Sequence, residues 1–460
     1  MQTRPGSSGP HDATVPSFLT AVGVWLKIGL LSFGGPAGQI ALMHRLVVEE
    51  KKWVDEHRFL HALNYCMLLP GPEAQQLSIY VGWLLHGVRG GLAAGILFVL
   101  PGALVILLLS ALYAGYGELL AVQSVFFGVK AAVLAVVIGA VHKLAGKVLK
   151  NGQMMAIAIC SFIAIFFLGL PFPAIVATAA IVGFIGGIIR PATFAILGTH
   201  TANAAEEGSA DVRNRTGVPD GSNGLIQATR TAAICLTLWL APVALLAIFL
   251  GPHNVFTQEA VFFSKMAVVT FGGAYAVLAY IAQAAVETYG WLMPGEMLDG
   301  LGLAETTPGP LILVTQFVGF LGAFRNPGGL APLLAGTLGA VLTLWVTFVP
   351  CFLWIFLGAP YIERLRQNIR LTAALSAVTA AVVGVVLNLA IWFGLNVIFG
   401  TVETVNYHGL RLLSPVFTSL DPTALGLSLF AFAAMIWMRL GMIPTLTLCA
   451  ATGFILRTLL

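Results

Sequence analysis

The chain has 460 residues, of which 58% are hydrophobic and only 9% charged, with a formal net charge of +4. A soluble domain carries about 25% charged residues, so the composition excludes a water-soluble globule and puts most of the chain against lipid or other apolar helices. The small, scattered net charge gives no footprint for nucleic acid.

Residues 1–16 are rich in Gly, Ser and Pro and read as a disordered tail with no removable signal peptide. A bilayer core needs about 20 apolar residues per helix. Apolar runs follow near 17–43, 59–85, 91–114, 119–141, 154–169 and 172–189. Residues 17–190 thus form a first unit, and 191–226 a polar linker. The run 227–254 is an extra helix, and 255–460 a second unit with runs near 256–285, 297–323, 330–358, 371–399, 417–437 and 441–457. The fold class expected is an all-α integral membrane protein of about 13 transmembrane or re-entrant segments.

One broken pattern occurs twice at an offset of 238 residues. Lys27, Ser32-Phe33-Gly34-Gly35, Glu49, Trp53, Pro70-Gly71-Pro72 and Gly90-Gly91 return as Lys265, Thr270-Phe271-Gly272-Gly273, Glu287, Trp291, Pro308-Gly309-Pro310 and Gly328-Gly329. Such a repeat in so apolar a chain points to a transporter built from two related halves. The unmatched run 227–254 adds one crossing, so the second unit enters from the opposite side and the repeats are inverted. Loop charges agree through the positive-inside tendency. Arg45, Lys51, Lys52 and Arg58 follow the first run, whereas its partner loop 286–296 has no Lys or Arg. With the N-terminus inside, this basic 44–58 loop falls outside unless the first two segments are re-entrant, and both topologies stay open.

Proline removes a backbone donor and clashes with the preceding turn. Pro70-Gly71-Pro72 and Pro308-Gly309-Pro310 therefore break their segments, and the freed backbone groups need a protein or aqueous partner. Gly34, Gly35, Gly272 and Gly273 either permit close packing or expose N–H groups at a half-helix start, which suits an oxyanion. Lys27 and Lys265 sit in apolar runs, where an ammonium costs about 2.5–3.5 kcal/mol unless it snorkels or faces a cavity. In inverted halves both are expected to converge on one central cavity that would favour an anion. Glu73, directly after the first Pro-Gly-Pro, is the candidate for coupling protons or for pairing with a lysine. No metal site or cofactor is expected: His57 and His61 lie in a charged loop without a counterpart in the second repeat. A membrane-embedded enzyme would need a clustered nucleophile or acid–base pair, and these are scattered.

Ser32-Phe33-Gly34-Gly35-Pro36, Trp53, Leu69-Pro70-Gly71-Pro72-Glu73-Ala74, Gly82 and Gly90-Gly91 resemble the chromate ion transporter family in its long two-domain form. The second half matches through Thr270-Phe271-Gly272-Gly273, Glu287, Trp291, Pro308-Gly309-Pro310 and Gly319. The resemblance implies a multi-pass carrier of the bacterial inner membrane that exports chromate, a tetrahedral dianion, and confers chromate resistance. Sulfate is a competitor by shape and charge, a sulfate or other oxyanion carrier is the alternative, and neither the coupling ion nor the oligomeric state follows. Ala274 and Leu311 stand where the first repeat has Pro36 and Glu73, so the half-sites are chemically unequal.

Overall fold

The computed structural model describes residues 16–194, 222–271, 274–358, 368–407 and 410–458. The N-terminal tail, most of the linker, Gly272 and Gly273 lie outside them. The first repeat opens with short helices: α1 (Phe18–Leu31), α2 (Gly35–His44) and α3 (Glu56–Cys66). Then come α4 (Glu73–Tyr116), α5 (Leu120–Val148), α6 (Gly152–Phe166) and α7 (Phe172–Ile189). The peripheral α8 (Ser222–Phe249) starts inside the expected linker.

The second repeat has α9 (Val255–Val269), α10 (Ala274–Gln283), α11 (Glu296–Thr306) and α12 (Val314–Arg325). It continues with α13 (Pro332–Gly358), α14 (Ile369–Ile398), α15 (Pro422–Ile436) and α16 (Met442–Thr458). Between α14 and α15 lies an antiparallel hairpin, β1 (Val402–Tyr407) and β2 (Leu410–Pro415), which the all-α expectation did not include. Arg411 on β2 pairs with Glu287 at 2.6 Å, and its N–H donates to the Phe167 carbonyl.

α4 is a hairpin rather than one rod. His86 and Gly87 leave helical geometry, Gly87 at φ +61°. The chain reverses there, because a Cβ on Gly82 would lie 2.5 Å from the Gly90 carbonyl and one on Gly95 would lie 2.5 Å from Ile79 Cγ1. Arms 73–85 and 88–116 are thus antiparallel, matching the separate apolar runs read at 59–85 and 91–114. α12 and α13 make the same turn, a Cβ on Gly339 falling 2.5 Å from the Gly319 carbonyl.

The relative direction of the repeats follows from the long arm of α4 and α13. Gly91 faces Phe356, and four residues later Gly95 faces Phe352. Rising numbers meet falling numbers, so equivalent elements of the two repeats point opposite ways, as inverted topology requires. The same exchange orders the periphery. α6 and α7 of the first repeat pack on α14 of the second, while α15 and α16 of the second pack on α5 of the first.

The short helices explain the basic loop. At 1.5 Å per residue, α1 spans about 21 Å and α2 about 15 Å, less than the roughly 30 Å bilayer core. α1 starts beside the α4 reversal, where the Pro16 carbonyl meets His86 Nε2 at 2.9 Å, and runs parallel to the long arm, so that its Gly29 abuts Leu97 and Pro101. α2 leaves the break and ends at His44, bonded to Glu56 at the start of α3. α3 then returns toward the centre beside the short arm of α4, with Tyr65 and Tyr80 rings 6.0 Å apart. Each unit therefore dips in and returns to the face it came from. The 44–58 loop lies on the same face as Lys143, Lys147, Lys150 and Arg370, which resolves the topology left open above in favour of re-entrant segments.

Candidate functional site: the crossed breaks

The repeat holds at the level of single hydrogen bonds. The Ser32 hydroxyl donates to the Ile28 carbonyl at 2.6 Å, and the Thr270 hydroxyl donates to the Met266 carbonyl at 2.5 Å. A hydroxyl turned back on the last helical turn competes with the helix ladder and favours termination there, which is why this position takes Ser or Thr. Phe33 and Phe271 N–H groups donate to the Leu31 and Val269 carbonyls at 2.9 and 3.1 Å. The Trp53 and Trp291 N–H groups close matching turns onto Val47 and Ala285, after π-helical segments at Arg45–Glu50 and Ala284–Thr288.

At the centre the breaks of the two repeats hold each other. The Gly71 N–H donates to the Thr270 carbonyl at 2.8 Å, and the Gly309 N–H donates to the Ser32 carbonyl at 2.8 Å. Each Pro-Gly-Pro thus caps the entering half-helix of the opposite repeat. The flanking prolines have no N–H to offer, so the glycine supplies the donor. Its positive φ (+120° at Gly71, +97° at Gly309) turns the chain to deliver it. Gln39 Nε2 donates to the Gly309 carbonyl at 2.6 Å, and Gln76 Nε2 to the Pro70 carbonyl at 2.7 Å. Pro72 and Pro310 open the helical turns that follow, and a Cβ on Gly102 would collide with the Pro308 carbonyl. The space beside Gly71, Pro72, Thr270 and Thr315 is about 10 Å³, room for no more than a water. The clasp is closed to an oxyanion in this state.

Four helical starts face this centre: those of α2, the short arm of α4, α10, and the 3₁₀ turn Leu311–Leu313 that leads into α12. Each presents the positive end of its dipole. The C-terminal carbonyls of α1 and α9, the negative ends, are covered by the clasp bonds. Gly34 (φ +87°) and Gly35 (φ +74°) have open space around them at the start of α2.

Lys27 and Lys265 lie on exposed faces of α1 and α9, and neither has an ion-pair or hydrogen-bond partner among the described residues. α1 and α9 approach the clasp from opposite faces, and each lysine stops five residues short of its Ser or Thr, which separates them by about 15 Å along the helix axes. Glu73 is half-buried in the first turn of α4, where a carboxylate also complements the helix dipole, and it has no ion pair among the described residues. Its counterpart Leu311 is buried.

Other polar groups are buried nearby, of which Glu259 and Asp299 escaped the sequence reading. Glu305 is buried and accepts from the Tyr275 hydroxyl at 2.5 Å, tying the two breaks of the second repeat together. Glu259 is fully buried with neither oxygen hydrogen-bonded among the described residues, in a space left by Gly322 and Gly339. Asp299, also buried, pairs with Lys130 Nζ at 3.2 Å and accepts from the Tyr113 hydroxyl at 2.9 Å. Asp299 and Lys130 line a vestibule of about 500 Å³ on the face opposite the basic loops. Lys130 stands in an apolar run just as Lys27 does, and that was the available signal.

Comparison with known proteins agrees with this architecture. The chromate transporter family matches residues 19–184 and 257–454, one block in each repeat. The chain is 33% identical over 373 residues to a chromate transport protein of Pseudomonas aeruginosa, covering 79% of this chain and 77% of that one. It is 28% identical over 376 residues to a chromate transport protein of Cupriavidus metallidurans, covering 82% of each. An uncharacterised transporter of Methanocaldococcus jannaschii is 24% identical over 383 residues, 83% of this chain and 86% of that one. No solved structure matches. The chain belongs to the chromate transporter family.

Proposed function

We propose that this protein carries chromate outward across a bacterial inner membrane by opening and closing the crossed breaks. The observation that carries the reading is the reciprocal pair of bonds from Gly71 to Thr270 and from Gly309 to Ser32. Two oppositely mounted half-structures meet at one closed point, which is the geometry alternating access needs. Half-helix N-termini offer N–H donors and positive partial charge to a tetrahedral dianion. Gly34 and Gly35 keep that approach free of side chains, Gly272 and Gly273 are their counterparts by sequence, and the Pro-Gly-Pro turns, Pro70 to Pro72 and Pro308 to Pro310, form the walls.

Lys27 and Lys265 take different roles from those of a shared cage. An exposed ammonium about 7 Å short of the midplane is costly against lipid. Each lysine therefore faces a wet groove, Lys27 attracting the anion from the basic face and Lys265 receiving it on the other. The basic face is cytoplasmic by the positive-inside tendency. Glu73 serves proton exchange on that cytoplasmic side. The test is flux of labelled chromate into inside-out vesicles, with unlabelled sulfate as competitor and with or without a pH gradient. Uptake that exceeds protein-free controls and falls in Lys27→Met supports the reading. Uptake of sulfate but not chromate makes the carrier a sulfate transporter, and uptake of neither overturns the function.

A further inference from the structure

The vestibule of about 500 Å³ is lined by four carboxylates, Glu118, Glu296, Asp299 and Asp421, and three cations, Lys130, Arg325 and Arg457. Every cation is already paired. Lys130 meets Asp299 at 3.2 Å, Arg325 meets Glu296 at 2.7 Å, and Arg457 meets Asp421 at 3.4 Å. A dianion gains nothing from a net negative chamber whose cations are spoken for. A proton does. At its inner wall Asp299 is buried, with Oδ2 held by Lys130 and Tyr113 and Oδ1 free of any partner among the described residues.

We propose that Asp299 is the proton-binding residue on the face opposite the basic one, that the vestibule is its aqueous access, and that Lys130 is its counter-charge. The inference rests on the carrier reading above. Lys130 and Tyr113 belong to the first repeat and Asp299 to the second, so the pair ties the repeats across their boundary. When a proton adds to the carboxylate, an O–H bond forms and the pair passes from neutral to a single positive charge on Lys130. The Coulomb tie between α5 and α11 is lost. α11 ends at Thr306, three residues before the Gly309 N–H that holds Ser32, so a freed α11 loosens that half of the clasp. Glu296 and Arg325 face the same chamber but hold each other through two bonds of 2.7 Å, Asp421 is held by Arg457, and Glu118 is exposed and accepts from Gln123, so of the four carboxylates Asp299 is the buried one with a free oxygen.

The test uses the full chain in proteoliposomes with two readouts: chromate–chromate counterflow at equal pH, and chromate accumulation driven by a pH gradient. Asp299→Asn is expected to keep counterflow within about twofold of wild type and to lower gradient-driven accumulation about tenfold or more. The double variant Lys130→Met with Asp299→Asn removes both charges, leaves no lone buried ion, and should behave alike. Gradient-driven accumulation retained in Asp299→Asn overturns the proposal, as does wild-type flux indifferent to the gradient. Loss of counterflow in both variants also overturns it, because the pair would then serve chromate or the fold. Absence of any wild-type flux instead removes the carrier reading.

Discussion

Replacing the donor glycines of the clasp by alanine separates two costs that the structure makes unequal. Gly71 and Gly309 hold φ of +120° and +97°, where an L-residue is strained by about 1–3 kcal/mol. At Gly309 the nearest atom to a new Cβ is Leu313 Cδ1 at 3.0 Å, the end of a side chain that can turn. At Gly71 the Cβ meets Gln76 Nε2 at 2.9 Å and Cys351 Sγ at 3.1 Å. Gln76 must then move off the Pro70 carbonyl, which costs a further 1–3 kcal/mol or so through an unsatisfied buried acceptor. Gly309→Ala is therefore expected to lose about 1–3 kcal/mol and Gly71→Ala about 2–6 kcal/mol. The assay is unfolding of the purified protein in detergent, followed by tryptophan fluorescence, alongside chromate flux in vesicles. Both variants should lose most of their flux, Gly71→Ala being the less stable. Wild-type stability and flux in either, or the reverse order, would refute the argument that these turns are set by glycine geometry.

Gln39→Leu leaves the Gly309 carbonyl without its side-chain donor and should destabilise by about 1–3 kcal/mol, read in the same unfolding assay. Gly339→Ala places a Cβ 2.5 Å from the Gly319 carbonyl and 2.9 Å from Glu259 Oε2. It should cost about 1–3 kcal/mol by overpacking. Removing the carboxyl as well, with Glu259→Ala, should not restore stability, since the backbone collision remains; a full rescue would show that the carboxyl sets the spacing. A cysteine at Lys51 and one at Lys150 should react with an impermeant thiol reagent from the same side of sealed vesicles, as re-entrant segments require.

Much of this fold was readable because the repeat was. Ser32 and Thr270, or Pro70 and Pro308, stand at one offset, so the breaks could be located before any coordinates, and the uneven loop charges gave the inversion. The choice between a crossing and a re-entrant segment could not be made from hydropathy, because half-helices such as α1 and α2 sum to the same apolar length as one spanning rod. Chain direction came only from close approaches such as Gly95 to Phe352. The clasp bonds were out of reach for a related reason: Gly71 finds its acceptor in the other repeat, where no local pattern points. Lys130 and Asp299 correspond to Asn368 and His61 in the opposite halves, so the repeat that exposed the breaks hid this pair. The β1–β2 hairpin sits where the second repeat departs from the 238-residue offset, and Val402, Thr404 and Val405 were its only strand signal.

The central claim, that half-sites of opposite mounting meet at a closed centre, is tested most directly by the sidedness of two equivalent positions. Among the described cysteines Cys160 is exposed and the rest are buried, so the background is Cys160→Ser. In sealed vesicles of known orientation, Lys27→Cys should be modified by an impermeant maleimide from the basic face and Lys265→Cys from the opposite face. Modification of both from one face would contradict the account.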